Sequence, residues 1–407
     1  MIANPPGARA PRARSDLKAV RSTSDTEGTM RPTWVPRTHH RATSFLRPLR
    51  SALLVGCAAA VLAACTPSAG ESGTGGPVGP PTASRPGSGA TREPAPQVDT
   101  YVTAGERLGI GGCAVFPRDH VFHATVTALP VRERSAATIQ SMGPDSRIGA
   151  GFGSTVWMGS RPGIPTNVVD SRTAPRQDIL VSDLYAETSE TEDMPWPAEP
   201  RFEGWPGRAW DKHLLVVDSA TCSSWEAINM QPPGENVWGT LLNRWYADKV
   251  VKLDLGSNAI PPKGTVTASG LSMLSGMVRY DEVAAGRIGH VLMMASPKIR
   301  KGPSVWPANG SDGRSTDPDA PPMGTWLRLR SDVDLSHLGP QARVVAEALK
   351  VHGAVIFDTG PSYGLMGEPD TRWADGDLAG LQTLTIGMFE VVDPTPMQVS
   401  PTSHQIR

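Results

Sequence analysis

The sequence predicts a mainly β fold: a single jelly-roll or β-sandwich-like domain with one or two short helices near its C-terminus. Three observations lead there. Apolar residues come in short runs between turn residues, which suits strands rather than long helices. Glycine and proline number 42 and 39, about a fifth of the 407 residues, against roughly 12% in an average chain. Strand-like runs do not alternate with helical ones, so a Rossmann fold or a TIM barrel is not expected.

The elements follow in order. Lys212–Asp218 (KHLLVVD) is an apolar run of the length of a buried strand. Trp225–Met230, Lys249–Leu255 and Ile288–Ala295 are further strands. Thr325–Arg330 alternates apolar and basic side chains, the period of a half-buried strand. Pro340–His352 is the one clear helix: Pro340 suits its first turn, Val344, Val345, Ala348 and Leu349 share a face, and Gly353 suits the stop. A second short helix is expected over Asp375–Leu384. Ala354–Asp358 and Met388–Val392 read as closing strands, and the glycine cluster Gly149–Gly153 as a turn. The folded domain is expected over 103–393, with a disordered tail over 394–407.

The residues before that domain carry an address. Residues 1–50 hold ten basic side chains against three acidic ones. An apolar run from Ala52 to Ala64 follows and ends in Leu62-Ala63-Ala64-Cys65. A basic stretch, a short apolar core and small residues before a cut site make a secretory signal, here spanning 1–64 with Met30 as an alternative start. The run is shorter than the roughly 20 residues needed to span a bilayer. Leu-Ala-Ala-Cys resembles the lipobox of bacterial lipoproteins, which implies acylation of Cys65 and attachment to the extracytoplasmic face of the cell membrane. Residues 65–102, rich in Gly, Pro, Ser and Thr, read as a disordered tether: they have too little apolar surface to offset chain entropy. Of the four cysteines, Cys57 lies in the signal and Cys65 is the lipid site. Cys113 and Cys222 remain, as a disulfide in an oxidising compartment or as two buried thiols.

Net charge is −1, which excludes a generally basic nucleic-acid binder. No phosphate-binding glycine loop, nucleotide fingerprint, G-x-S-x-G or Cys-x-x-Cys occurs, so no cofactor, nucleotide or metal is expected.

Several stretches together resemble a family of secreted bacterial proteins, largely actinobacterial, whose activity is uncharacterised. They are Cys113-Ala-Val-Phe-Pro-Arg-Asp119, Thr127-Ala-Leu-Pro-Val131, Gly163-Ile-Pro165, Lys212–Asp218 with Cys222, Gly276-Met-Val-Arg-Tyr-Asp-Glu282, Gly286-Arg-Ile-Gly-His290, Pro321-Pro-Met-Gly324, Ala348-Leu-Lys-Val-His-Gly353 and Asp358. The resemblance covers nearly all of 113–393 and implies one domain. The chain departs from the family pattern at Phe122-His123, where an aromatic-Asn pair is expected, and at His352, where a Tyr is expected.

Candidate chemistry sits in Arg279, Tyr280, Asp281, Glu282 and His290. With Val278–Val283 extended, Arg279 and Asp281 would share one face, Tyr280 and Glu282 the other, and His290 would lie across a turn. A carboxylate, a tyrosine and a histidine on neighbouring strands suit proton transfer, and an arginine beside them suits a uronate. The bland alternative is a surface Arg279–Asp281 pair and a satisfied, partly buried His290. Asp218, Asp358 and Asp375 are a second carboxylate set, suited to glycoside hydrolysis or simply to capping turns. Asp312, Asp317 and Asp319, in a Gly/Pro loop, read as solvated turn residues; their spacing matches no known calcium loop, the alternative such a cluster offers.

Tryptophan is the telling residue type: 11 against 5 tyrosines and 7 phenylalanines. Six of them crowd into 196–245, and Trp205, Trp210 and Trp238 are the candidates for stacking on sugar rings. The expectation is therefore an exported lipoprotein that acts on polysaccharide, as a lyase or hydrolase. The alternative is an envelope protein that binds glycan or a partner protein without catalysis.

Overall fold

The computed structural model describes residues 109–207, 210–237 and 240–407. The signal, the lipid site Cys65, the tether and Trp238 lie outside the described residues.

Ten strands build the two larger sheets: β1 (Ile148–Ala150), β2 (Thr166–Val169), β3 (Leu214–Asp218), β4 (Ser223–Ile228), β5 (Lys249–Asp254), β6 (Leu292–Ser296), β7 (Trp326–Leu329), β8 (Ala354–Thr359), β9 (Tyr363–Leu365) and β10 (Phe389–Val392). The six-stranded sheet runs β10-β7-β8-β6-β9-β1 and the four-stranded sheet β5-β4-β3-β2. The chain is thus sheet-rich, as expected. Both sheets are mixed: β6 with β8, β9 with β1 and β2 with β3 are parallel. Jelly rolls are antiparallel, so this order is not clearly one.

Alternation along the strands sorts side chains into layers. Val355 and Phe357 of β8 share a core with Leu215 and Val217 of β3, while Ala354 and Ile356 face a second core. That second core is closed by helix α1 (Ser135–Met142) and the longer helix α3 (Pro340–Val351). Leu214, Val216, Trp225 and Ala227 face a third, under Met194, Trp196 and Phe202.

α3 confirms the expected helix. Pro340 sits in its first turn, and Asp377 accepts the N–H groups of Gln341 (2.8 Å) and Ala342 (3.2 Å), orphan donors at any helix start. Gly353 stops it at φ +69°, where a Cβ would lie 2.4 Å from the Leu327 carbonyl. α4 (Asp375–Leu378) and the 3₁₀ turn Ala379–Thr383 fill the second expected helix.

Three expectations change. Helices are not confined to the C-terminal part, since α1 lies near the start of the described chain and a short helix, α2 (Tyr280–Ala284), replaces the extended segment expected there. Gly149 lies within strand β1 rather than in a turn. Residues 394–407 are packed, not a disordered tail: Val121 N–H donates to the His404 carbonyl (2.8 Å), Ile406 N–H to that of Asp119 (2.7 Å), and Trp306 Nε1–H to that of Ser403 (2.9 Å). His404 is buried. Cys113 and Cys222 form a disulfide, across 109 positions of sequence.

Candidate functional site

Glu282 and His290 do meet, by a different route from the one expected. Asp281 and Glu282 fall in the first turn of α2, where acidic side chains suit the exposed N–H groups, and Gly286 turns the chain at φ +83°. One turn of helix then brings Glu282 Oε2 to 3.1 Å from His290 Nε2. His290 Nδ1 lies 2.9 Å from the Val291 carbonyl. A carbonyl only accepts, so Nδ1–H donates to it.

The group is sealed. The Glu282 and His290 side chains are 10% and 3% exposed. Burial pushes the Glu282 carboxyl up, but the charges of His290 and Arg279 and a backbone N–H outweigh it and hold it below its ordinary value. Arg279 turns inward before α2 and is buried. Its Nη1 donates to the Met277 carbonyl (3.1 Å) and its Nη2 to that of Leu274; its Nε has no partner. Burial lowers the Arg279 pKa, against the raising effect of Glu282 and Glu368. Glu368 accepts the Tyr280 N–H at 2.9 Å, and its carboxyl is pushed up by burial.

Tyr280 and Asp281 lie on the outer side. Arg372 stacks 4.1 Å over the Tyr280 ring and bridges the 80%-exposed Asp281 at 2.9 Å. The expected Arg279–Asp281 pairing is therefore replaced by Arg372–Asp281, because the helix turns Arg279 into the core.

The second carboxylate set is dispersed among turns. Asp218 accepts from Ser171 N–H, Ala220 N–H and the Thr221 hydroxyl. Asp375 accepts the N–H groups of Ser154 and Thr155. Asp358, at the end of β8, accepts from Ala268 and Thr359 N–H, and burial pushes its carboxyl up to about 6. Asp317 holds Lys298 (2.8 Å) and Asp319 pairs with Arg134. Among the described residues no group of three His, Cys, Asp or Glu is placed to hold a metal.

Sequence reasoning missed two buried acids. Glu203 Oε2 meets His213 Nδ1 at 2.8 Å, while His213 Nε2 has no partner. Glu226 is fully buried in β4 and accepts from the Ser272 hydroxyl (2.5 Å) and the Met273 and Leu274 N–H groups (3.3 Å each). A single acid between Trp225 and Ala227, in a strand covered on both faces, was the readable signal for Glu226. His352 Nδ1 lies 2.8 Å from the Ala124 carbonyl and His123 Nε2 2.8 Å from that of Val115.

The tryptophans behave differently. Trp157-Met158-Gly159-Ser160 closes a tight hairpin, with Met158 and Gly159 both at positive φ (50° and 90°) and N–H to C=O bonds in both directions, as a type I′ turn requires. Val156, Trp157 and Met158 are 54%, 57% and 59% exposed. The tip leans on the next loop, where a Cβ on Gly207 would lie 2.3 Å from the Met158 carbonyl. Trp210 meets Trp157 at 5.4 Å between ring centroids, and Trp205, 38% exposed, stacks on Phe202 at 5.2 Å. Trp196 is buried against Trp245. A cleft of about 470 Å³ lies nearby in the chain, lined by Val168, Asp170, Pro175, Trp196, Glu199 and Arg201 among others.

The Glu282–His290–Arg279 group lies largely inside the fold, whereas the Trp157 and Trp205 indoles are exposed. Comparison of the chain with protein-family models, with curated proteins and with solved structures finds no match.

Proposed function

We propose that the protein is an exported lipoprotein, held by acylated Cys65 on the extracytoplasmic face of the membrane, whose sandwich-like β domain binds polysaccharide without cleaving it. What carries this reading is a contrast in exposure. Of the candidates for proton transfer, His290 and Arg279 are buried and the Glu282 side chain is only 10% exposed, while Trp157, Trp205 and Trp210 stand at or near the surface of adjoining loops. Indole faces stack on the apolar faces of sugar rings. The lyase or hydrolase alternative needs an acid and a base that touch the glycosidic bond.

A polysaccharide array on the purified full chain tests it. Binding is expected, with at least a tenfold loss for Trp157→Ala or Trp205→Ala and no release of reducing or unsaturated ends. Product release, or binding indifferent to both substitutions, overturns the proposal. Cys65→Ala should move the protein out of the membrane fraction; if it stays there as fully as the unsubstituted chain, the anchoring is wrong.

A further inference from the structure

The loop that carries Trp205 and Trp210 is fastened at its two ends by one buried pair. Glu203 leads into the loop and His213 leads out of it to β3; their side chains are 8% and 6% exposed. Three contacts join them. The Glu203 N–H donates to the His213 carbonyl (2.9 Å), the His213 N–H donates to Glu203 Oε2 (3.3 Å), and His213 Nδ1 lies 2.8 Å from the same Oε2. That oxygen already accepts a backbone N–H, so Nδ1–H donates to it. Among the described residues His213 Nε2 has no partner, and the polar bonding of the ring goes to Glu203. The loop needs such a fastening. Trp210 and Lys212 stand at φ +64° and +54°, a region that is costly for residues with side chains and persists only where neighbours hold it. The outgoing arm leans on the turn after β4, through Asn229 N–H to the Asp211 carbonyl (2.8 Å) and Met230 N–H to that of Lys212 (3.1 Å). The incoming arm meets the outgoing one at the Glu203–His213 pair.

We infer that Glu203 and His213 are positioning residues: their clasp fixes the spacing of the two arms, and so the places of Trp205 and Trp210, and the loop loosens in alkali as the pair loses its charge. What the loop then binds rests on the polysaccharide reading; the clasp itself does not. Four carboxylates act on the imidazole: Glu203 and Asp211 from the loop, Asp358 from the end of β8 and Glu226 from β4. Burial pulls the His213 pKa down, but Glu203, Asp211 and Asp358 outweigh it and raise it above the usual ~6.5. A group whose pKa rises on folding contributes stability that is complete below about 6.5 and is lost as pH climbs through the raised value. The clasp is therefore tight in mild acid and slack in alkali, a histidine switch set by its carboxylates.

Amide hydrogen exchange on the full chain tests the clasp, with the buried Leu215 and Val216 of β3 as the control for folding. Glu203→Ala should lower protection at least tenfold at position 203 and at Trp205, whose N–H bonds to the Phe202 carbonyl (3.3 Å), with the control unchanged. Glu203→Gln, which keeps an acceptor without the charge, should recover most of that protection at pH 6. Between pH 6 and pH 10 the unsubstituted chain should lose at least threefold in protection at both amides, and His213→Gln should lose none. If Glu203→Ala disturbs the control, the two glutamine variants decide through their pH profiles. Protection unmoved by Glu203→Ala overturns the inference, as does one pH profile shared by the unsubstituted chain and His213→Gln. Polysaccharide affinity, read on the same proteins, should fall at least fivefold in Glu203→Ala and follow the loop's protection with pH. A loop that loosens as stated in a chain that binds no polysaccharide upholds the clasp and removes the polysaccharide reading. Affinity that stays constant while the loop loosens overturns the positioning role.

Discussion

Two polar-and-aromatic regions of this domain have opposite surroundings. Around α2, Arg279, Glu282 and His290 are enclosed, and most of their polar atoms are spent on one another or on backbone carbonyls. On the loops at 154–160 and 204–210, tryptophans of large apolar area are left in water. The first arrangement costs desolvation and returns it only through its pairing. The second leaves apolar surface uncovered, which suits a surface that meets a partner. Residue type alone points to chemistry in the first region; exposure is what separates it from the second.

The sharpest way to break the comparison is to remove one member of the enclosed group. Glu282→Ala leaves His290 and Arg279 without their carboxylate, and such a loss in a buried pair costs about 3–5 kcal/mol. The urea midpoint should fall accordingly, while polysaccharide bound per folded molecule stays unchanged. A variant of unaltered stability that loses ligand binding or releases product would return Glu282 to the catalytic reading.

The next effect separates two buried groups that titrate in opposite senses. Burial, partly offset by the bond to the Ala124 carbonyl, lowers His352 to about 4, below the usual ~6.5. The unfolded chain therefore binds that proton first, and the stability His352 contributes is lost as pH falls from 6.5 to 4, about 3 kcal/mol in all. Asp358 is raised to about 6. Its folded form takes up a proton before the unfolded chain does, so it adds stability as pH falls from 6 to 3.8, by at most about 3 kcal/mol. The two oppose each other over one window. Urea unfolding at pH 7 and pH 4.5 should show His352→Gln losing less stability on acidification than the unsubstituted chain, and Asp358→Asn losing more. Parallel slopes in all three proteins would remove both assignments.

The same contrast separates what could be read in the sequence from what could not. Leu214–Asp218 and Pro340–Val351 were legible because each is long enough to show its period and carries its own punctuation, Gly353 above all. The segment at 278–283 was misread for a physical reason. Five helical residues make little more than one turn, too few to show a 3.6-residue period, and the order Arg-Tyr-Asp-Glu also fits a period of two. β1 and β9, of three residues each, lie below the length at which alternation means anything. The packing of 394–407 showed no apolar period: Met397 and Ile406 pack against the core as isolated residues, and backbone bonds and the buried His404 hold the rest. For the site, the spacing put Glu282 and His290 near one another, though on neighbouring strands rather than across a helical turn, and left open whether they would be covered. Burial depends on partners distant in the chain, such as Glu368, which accepts the Tyr280 N–H.

The smallest expected effect is the most discriminating. Trp157 is 57% exposed, and its ring meets Trp210 across the surface rather than filling a core. Trp157→Ala should therefore shift the unfolding free energy by no more than about 0.5 kcal/mol, as surface substitutions do, against about 3–5 kcal/mol for a buried indole. Gly159 at positive φ still supports the turn beneath it. Stability held within that margin, alongside a tenfold loss of polysaccharide binding, would place the work of the loop in contact rather than in folding. A drop of several kcal/mol in the urea experiment would mean that the indole is a structural wedge between the two loops, and the contrast with Glu282 would disappear.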